Sequence, residues 1–122
     1  MFARLARLFG RRPTEPVWLE PGALQERIDR GELPMIIDVR APEEFDGPLG
    51  HIAGALNIPL AGLAPRTAEL ARARCPIVLV CLTDKRSSQA AAELAQAGIR
   101  DVAVLRGGMT GWRKGPGWRE DP

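Results

Sequence analysis

The chain has 122 residues, 45 % of them apolar and 26 % charged, with a formal net charge of +2. These values describe one globular domain with room for a real core. They give no candidate for a membrane-spanning helix, since no apolar run approaches the ~18 residues such a span needs, and they carry no basic excess of the kind that marks nucleic-acid binding.

The charge is unevenly placed. Arg4, Arg7, Arg11 and Arg12 fall within residues 1–12 without an acid among them, so the remainder is mildly acidic. Phe2, Leu5 and Phe9 lie roughly on one helical face there. The stretch is too short for a secretory signal and has no cleavage pattern. Isolated helices under ~12 residues are marginal in water, so a frayed basic extension is the expected state. Membrane contact by residues 1–12 is the lesser reading.

Residues 17–19, Val-Trp-Leu, read as a first strand, and Pro21 suits the first position of a helix that runs through Leu24 and Ile28 to a stop at Gly31. Residues 35–39, apolar apart from Asp38, read as the second strand. Pro42 restarts a short helix with Glu43, Glu44 and Phe45, and Arg40 is spaced four residues from Glu44 for pairing. Asp38 and Arg40 read as paired charges that fix loop geometry. Residues 55–58 form a short third strand closed by Pro59, and residues 60–73 an irregular helix with Pro65 as its start. The fourth strand is Ile77-Val78-Leu79-Val80, the most apolar short run in the chain and rich in β-branched residues, as a fully buried strand should be. Ser87 and Ser88 open an alanine-rich helix that stops at Gly98, and residues 102–105 give a fifth strand. Gly107 and Gly108 bring backbone freedom near the crevice. Met109 and Trp112 read as packing residues. Strands alternating with helices imply a parallel sheet covered on both faces.

Cys75 and Cys81 stand at opposite ends of the fourth strand. At ~3.3 Å per residue they are separated by nearly 20 Å, far beyond disulfide reach. Free thiols suit a reducing compartment, so the cytoplasm is the expected location. Cys81 ends a buried strand just ahead of a helix, where unpaired N–H groups and the helix dipole favour an anion. Lys85 and Arg86 beside it favour thiolate over thiol. Cys81 is therefore expected to face the crevice at the carboxyl ends of the strands, the usual ligand site of open α/β sheets. The competing reading is a buried cysteine that only fills space.

The run Cys81-Leu82-Thr83-Asp84-Lys85-Arg86-Ser87 after an apolar strand resembles the active-site loop of the rhodanese (sulfurtransferase) family. Three further passages agree in order and spacing: Asp38-Val39-Arg40 with Glu43-Glu44-Phe45, residues 50–59 (GHIAGALNIP), and Gly107-Gly108 followed by Trp112. The resemblance covers about residues 17–118, leaving residues 1–16 as a basic extension and 119–122 as a loose tail. It implies a rhodanese-like three-layer α/β fold, a central five-stranded parallel sheet with helices on both faces.

It also implies a thiosulfate sulfurtransferase in which Cys81 is the nucleophile and carries a persulfide. Residues Leu82, Thr83, Asp84, Lys85, Arg86 and Ser87 would bind the substrate, and Asp38, Arg40 and His51 would support the site. Partners would be a small sulfur donor, thiosulfate or a persulfide, and a thiol or cyanide acceptor. No cofactor is implied. A metal site is not expected from one histidine and no clustered thiols. Many family members carry glycine where this chain has Asp84. Aspartate tolerates positive φ, but its carboxylate opposes an anionic donor. Two other readings stand beside this one. A phosphatase or arsenate reductase on the same scaffold tends to have a loop one residue longer than the five residues between Cys81 and Ser87. A binding module without turnover is the other, and it would be stronger without Cys81.

Overall fold

The computed structural model describes residues 16–114. The expectations placed on residues 1–15, membrane contact included, and on the tail lie outside the described residues. Five strands, β1 (Trp18–Leu19), β2 (Met35–Asp38), β3 (Leu56–Asn57), β4 (Ile77–Val80) and β5 (Val102–Leu105), pair in parallel in the spatial order β1-β5-β4-β2-β3. They alternate with helices α1 (Pro21–Asp29), α2 (Pro42–Phe45), α3 (Thr67–Ala73), α4 (Lys85–Gln96) and α5 (Gly108–Lys114). Two single 3₁₀ turns, Leu60–Gly62 and Ala64–Arg66, take up the irregular stretch before α3, with Pro65 inside the second of them.

Alternation along β4 divides the core in two. Ile77, Leu79 and Cys81 point to one side, where they meet Leu70 of α3 and Ala90 and Leu94 of α4. Val78 and Val80 point to the other, against Leu24 of α1 and Met109 and Trp112 of α5. The sheet is thus a middle layer between two helical layers. All four β4 residues are buried, which is why that strand reads as continuously apolar. Each such side chain contributes about 1.5–3 kcal/mol by leaving water. In α4, Ser87, Ala90 and Leu94 recur at helical spacing and form its buried face. The small Ala90 lets the helix lie close to the strands.

Two local expectations change. The helix after the Cys81 loop begins at Lys85 rather than Ser87, because Asp84 (φ −149°, ψ 4°) takes the N-cap position and its carbonyl accepts the Ser88 amide at 2.9 Å. A helix, α5, starts at the second of the two glycines, where only packing residues were expected. Glycines and a threonine lower its propensity, but Met109 and Trp112, three apart and buried, anchor it to the sheet.

The strand order fixes where a site can be. From the carboxyl end of β2 the chain leaves towards β3, and from that of β4 it leaves the opposite way towards β5. This divergence between neighbouring strands opens a crevice above their ends, the topological switch point of an α/β sheet. Cys81 follows β4, and Val39 and Arg40 follow β2. The Val39 amide bonds the Val80 carbonyl at 2.8 Å, which ties the two exits together.

Candidate active site

The β2 exit is a fixed polar frame. Asp38 and Arg40 are each 1 % exposed and form a two-pronged ion pair, Arg40 Nε to Asp38 Oδ1 at 2.9 Å and Nη2 to Oδ2 at 2.7 Å. The Arg40 amide also donates to Asp38 Oδ1, and Nη2 reaches the Gly50 carbonyl at 2.8 Å. Asn57 donates from Nδ2 to the carbonyls of both Asp38 and Arg40. A buried pair of this kind is strong evidence for geometry and weak evidence for net stability. His51 stacks on Phe45 with centroids 3.6 Å apart, and its Nδ1–H donates to the Phe45 carbonyl at 2.8 Å. All three supporting residues named from the sequence therefore sit in the β2 and 45–51 framework, where they hold backbone in place.

The expected Arg40–Glu44 pair does not form. Arg40 turns inward to Asp38, so Glu44 is left for Arg86, with Oε1–Nη1 at 2.7 Å and Oε2–Nη2 at 3.0 Å. Glu44 Oε1 also accepts the Ala41 amide at 3.1 Å. The Arg86 hydrogen bonds, then the Ala41 N–H and the charges of Arg86 and Arg40, hold the Glu44 carboxyl down at about 2 against the opposing effect of burial. A depressed carboxyl contributes stability that is complete above its ordinary value of 4.5 and is lost as pH falls through about 2. The pair therefore persists across any physiological acidity. Arg86 is correspondingly held charged, first by the Glu44 hydrogen bond and also by the negative charges available at Cys81 and Asp38.

The Cys81 loop is shaped from the other side by α5. Met109 N–H donates to the Cys81 carbonyl at 2.8 Å and Thr110 N–H to the Leu82 carbonyl at 3.1 Å. In a trans peptide the N–H points opposite to the C=O. The Leu82 and Thr83 amides consequently face away from α5. Among the described residues, no amide of residues 82–87 donates to a backbone carbonyl. Gly108 makes this close approach feasible: at φ +54° it presses on the loop, and a Cβ there would overlap the Thr83 and Cys81 carbonyl oxygens and lie 2.8 Å from the Leu82 carbonyl carbon. Ser87 adds a hydroxyl that is 0 % exposed and has no partner. A buried polar group without a partner, as the Ser87 hydroxyl is, is rare in folded proteins, and successive backbone amides left without backbone acceptors are able to hold an anion.

Cys81 is less open than a residue facing a crevice should be. It is 1 % exposed and packs with Ile37, Val39, Ile58 and Leu79, so its thiol is at the floor of the site. Leu82 and Thr83 above it are exposed, as is Lys85, while Asp84 is half-buried. Asp84 adopts negative φ, so positive φ is not what its position demands, and its side chain makes no cap hydrogen bond. Glu44, Asn57 and Gly108 were not foreseen as site residues. Only the glycine pair, read as backbone freedom near the crevice, hinted at one of them. Cys75 is far from all of this, in an open groove of about 250 Å³ at the other end of β4 between Arg74 and Arg100. Among the described residues there is no cluster of three or more His, Cys, Asp or Glu able to hold a metal, and no helix long and apolar enough to cross a membrane.

The unpartnered Ser87 hydroxyl gives a first test. Ser87→Ala removes no hydrogen bond, so stability should hold or rise by about 1 kcal/mol. Urea denaturation measures this, and a loss above that size would mean the hydroxyl has a partner after all.

A parallel α/β domain with a cysteine at the switch point, followed by a loop of amides without backbone partners and a helix, is an α/β cysteine-loop domain. Residues 20–115 match the rhodanese-like domain, and the chain belongs to that family. It is 44 % identical over 77 residues to the Bacillus subtilis protein YqhL, a match covering 63 % of this chain and 59 % of that one. A sulfurtransferase of Allochromatium vinosum is 32 % identical over 96 residues, covering 79 % of this chain and 87 % of its own length. Among solved structures, a thiosulfate sulfurtransferase from Pseudomonas aeruginosa superposes with a TM-score of 0.76 at 29 % identity, over 97 % of this chain and 22 % of that one. The chain thus spans about three-fifths of YqhL and a fifth of the Pseudomonas protein. The three-layer fold expected from the sequence is the fold observed.

Proposed function

We propose that this domain is a sulfurtransferase that carries sulfane sulfur as a persulfide on Cys81. The observation that supports it best is the stretch of unpaired amides over residues 82–87, with the buried Ser87 hydroxyl, following that cysteine. In the reaction the Cys81 thiolate attacks the outer sulfur of thiosulfate. A new S–S bond forms, the old one breaks, and its electron pair leaves with sulfite. The terminal sulfur of Cys81–S–S⁻ carries the charge that the amides can hold. An acceptor thiolate or cyanide then attacks that terminal sulfur and the Cys81 thiolate departs, ready for another cycle. Two half-reactions through a covalent intermediate give ping-pong kinetics. A persulfide donor enters by the same step, losing a thiolate in place of sulfite. The two free thiols, Cys75 and Cys81, favour a reducing compartment such as the cytoplasm.

The test is intact-protein mass spectrometry after incubation with thiosulfate: one sulfur atom gained on Cys81 supports the reading. One observation favours a binding module instead, namely the 1 % exposure of Cys81. No gain of sulfur from thiosulfate or from an alkyl persulfide would establish that alternative.

Asp84 bears on turnover. Its carboxylate opposes thiosulfate, and since its side chain caps nothing, Asp84→Gly should cost the fold only a few tenths of a kcal/mol. The steady-state rate with thiosulfate should rise about threefold, the size of one weak exposed charge interaction. An equal or lower rate would show that the carboxylate does not reach the donor.

A further inference from the structure

We infer that Glu44 is a positioning residue that sets how much negative charge the site accepts in a donor, by occupying the guanidinium of Arg86. The inference rests on the sulfur-transfer reading above. Asp84 and Lys85 are adjacent and of opposite sign. Arg86 is the remaining cation of the loop, and Glu44, reaching from α2 across 42 residues of sequence, grips it through both terminal guanidinium nitrogens, Nη1 and Nη2. The four side-chain charges therefore cancel in pairs. What is left to attract an anion is the backbone: the amides of residues 82–87 and the first turn of α4. Dipoles of that kind suit a single negative charge.

This arrangement separates two classes of donor. An alkyl persulfide brings one negative charge to the loop, whereas thiosulfate brings two. With Arg86 neutralised, the loop cation left for the second charge of thiosulfate is Lys85, which is exposed and screened. Glu44 is held by more than Arg86: the Ala41 amide and the short helix α2 fix its carboxylate in place. The clasp is therefore preorganised, and Arg86 cannot turn to the donor without leaving it.

The experiment compares two donors, thiosulfate and the persulfide of 2-mercaptoethanol, in single-turnover loading of Cys81 followed by intact mass. Glu44→Gln keeps the shape and one set of hydrogen bonds but frees the Arg86 charge. It should lower the thiosulfate KM about fivefold relative to the persulfide KM, and raising the salt from low to high should shrink that difference. Arg86→Gln should move the ratio the opposite way, and Glu44→Asp should retain the wild-type preference. A merely structural role for the pair would alter both donors alike. An unchanged ratio in Glu44→Gln, or a ratio moving the same way in Arg86→Gln, overturns the inference and leaves sulfur transfer standing. If Glu44→Gln does not fold, the Arg86→Gln ratio alone decides. A wild-type protein that takes sulfur from neither donor overturns both.

Discussion

Cys81→Ser is expected to abolish sulfur uptake while leaving the fold in place. Serine keeps the shape of the side chain, and the site among Ile37, Val39 and Leu79 is filled almost as before. Burying a hydroxyl there costs about 1–3 kcal/mol, which is less than the ~5–15 kcal/mol unfolding free energy of a native domain. The chemistry is a different matter. The transfer needs a polarizable anion able to attack a sulfur atom, and a serine hydroxyl at neutral pH is neither. The expected result is a wild-type protein heavier by one sulfur atom after thiosulfate, and a variant with its mass unchanged. Cys75 serves as an internal control, because it remains in both proteins and is half-buried at the opposite end of β4. Peptide mapping should find the added sulfur on Cys81 alone. Equal loading of the variant would move the chemistry to Cys75 and end the case for the Cys81 loop.

The second large effect falls on a residue with no side chain. Gly108→Ala puts a Cβ onto the carbonyl oxygens of Thr83 and Cys81, at a φ of +54° that L residues avoid. Backbone cannot rotate out of the way as a side chain can. Either α5 lifts or the loop shifts, and in both cases the Met109 and Thr110 hydrogen bonds to the loop are lost. Strain and overpacking together should cost about 3 kcal/mol. Displacing the reactive geometry by about 1 Å should lower turnover roughly 100-fold. Gly107→Ala is the matched comparison. Gly107 also has positive φ, +76°, but its added Cβ would meet only Gly111, its Cα at 3.3 Å and its N at 3.6 Å, on α5 itself. It should lose some stability and keep most activity. Thermal unfolding beside the loading assay separates the two. Equal activity losses in both variants would show that the contact with the loop is not what matters at residue 108.

Much of this architecture was legible before any coordinates. The run from Ile77 to Val80 names itself as a buried strand because nothing in it is polar. Cys81 at its end, with a helix after it, follows from the change of pattern. Asp38 and Arg40 also announced a structural pair, since two charges this close at a strand exit satisfy one another. The parts that stayed hidden share a cause: they depend on which surfaces meet. Arg40 and Glu44 have the spacing of a helical pair, but burial drew Arg40 to Asp38, and only the fold brings Arg86 within reach of Glu44. The intolerance of position 108 to a side chain belongs to the approach of α5 to the loop. The depth of Cys81 is of the same kind, for a residue type carries no mark of how much its neighbours cover it. The α5 helix was missed for a propensity reason, its glycines concealing the anchoring pair Met109 and Trp112.

β4 has a strand on each side, β5 and β2, and a helical layer above and below. A strand so enclosed exchanges its amide hydrogens only when the domain opens as a whole. The root of the Cys81 side chain is therefore as long-lived as the native state, whereas the α5 contacts over the loop rest on two hydrogen bonds near the end of the fold. The sulfur itself lies on the opposite face of the sheet, with Leu70 of α3 and Ala90 and Leu94 of α4, so loosening of that last helix frees the backbone of the loop and leaves the cover over the sulfur in place.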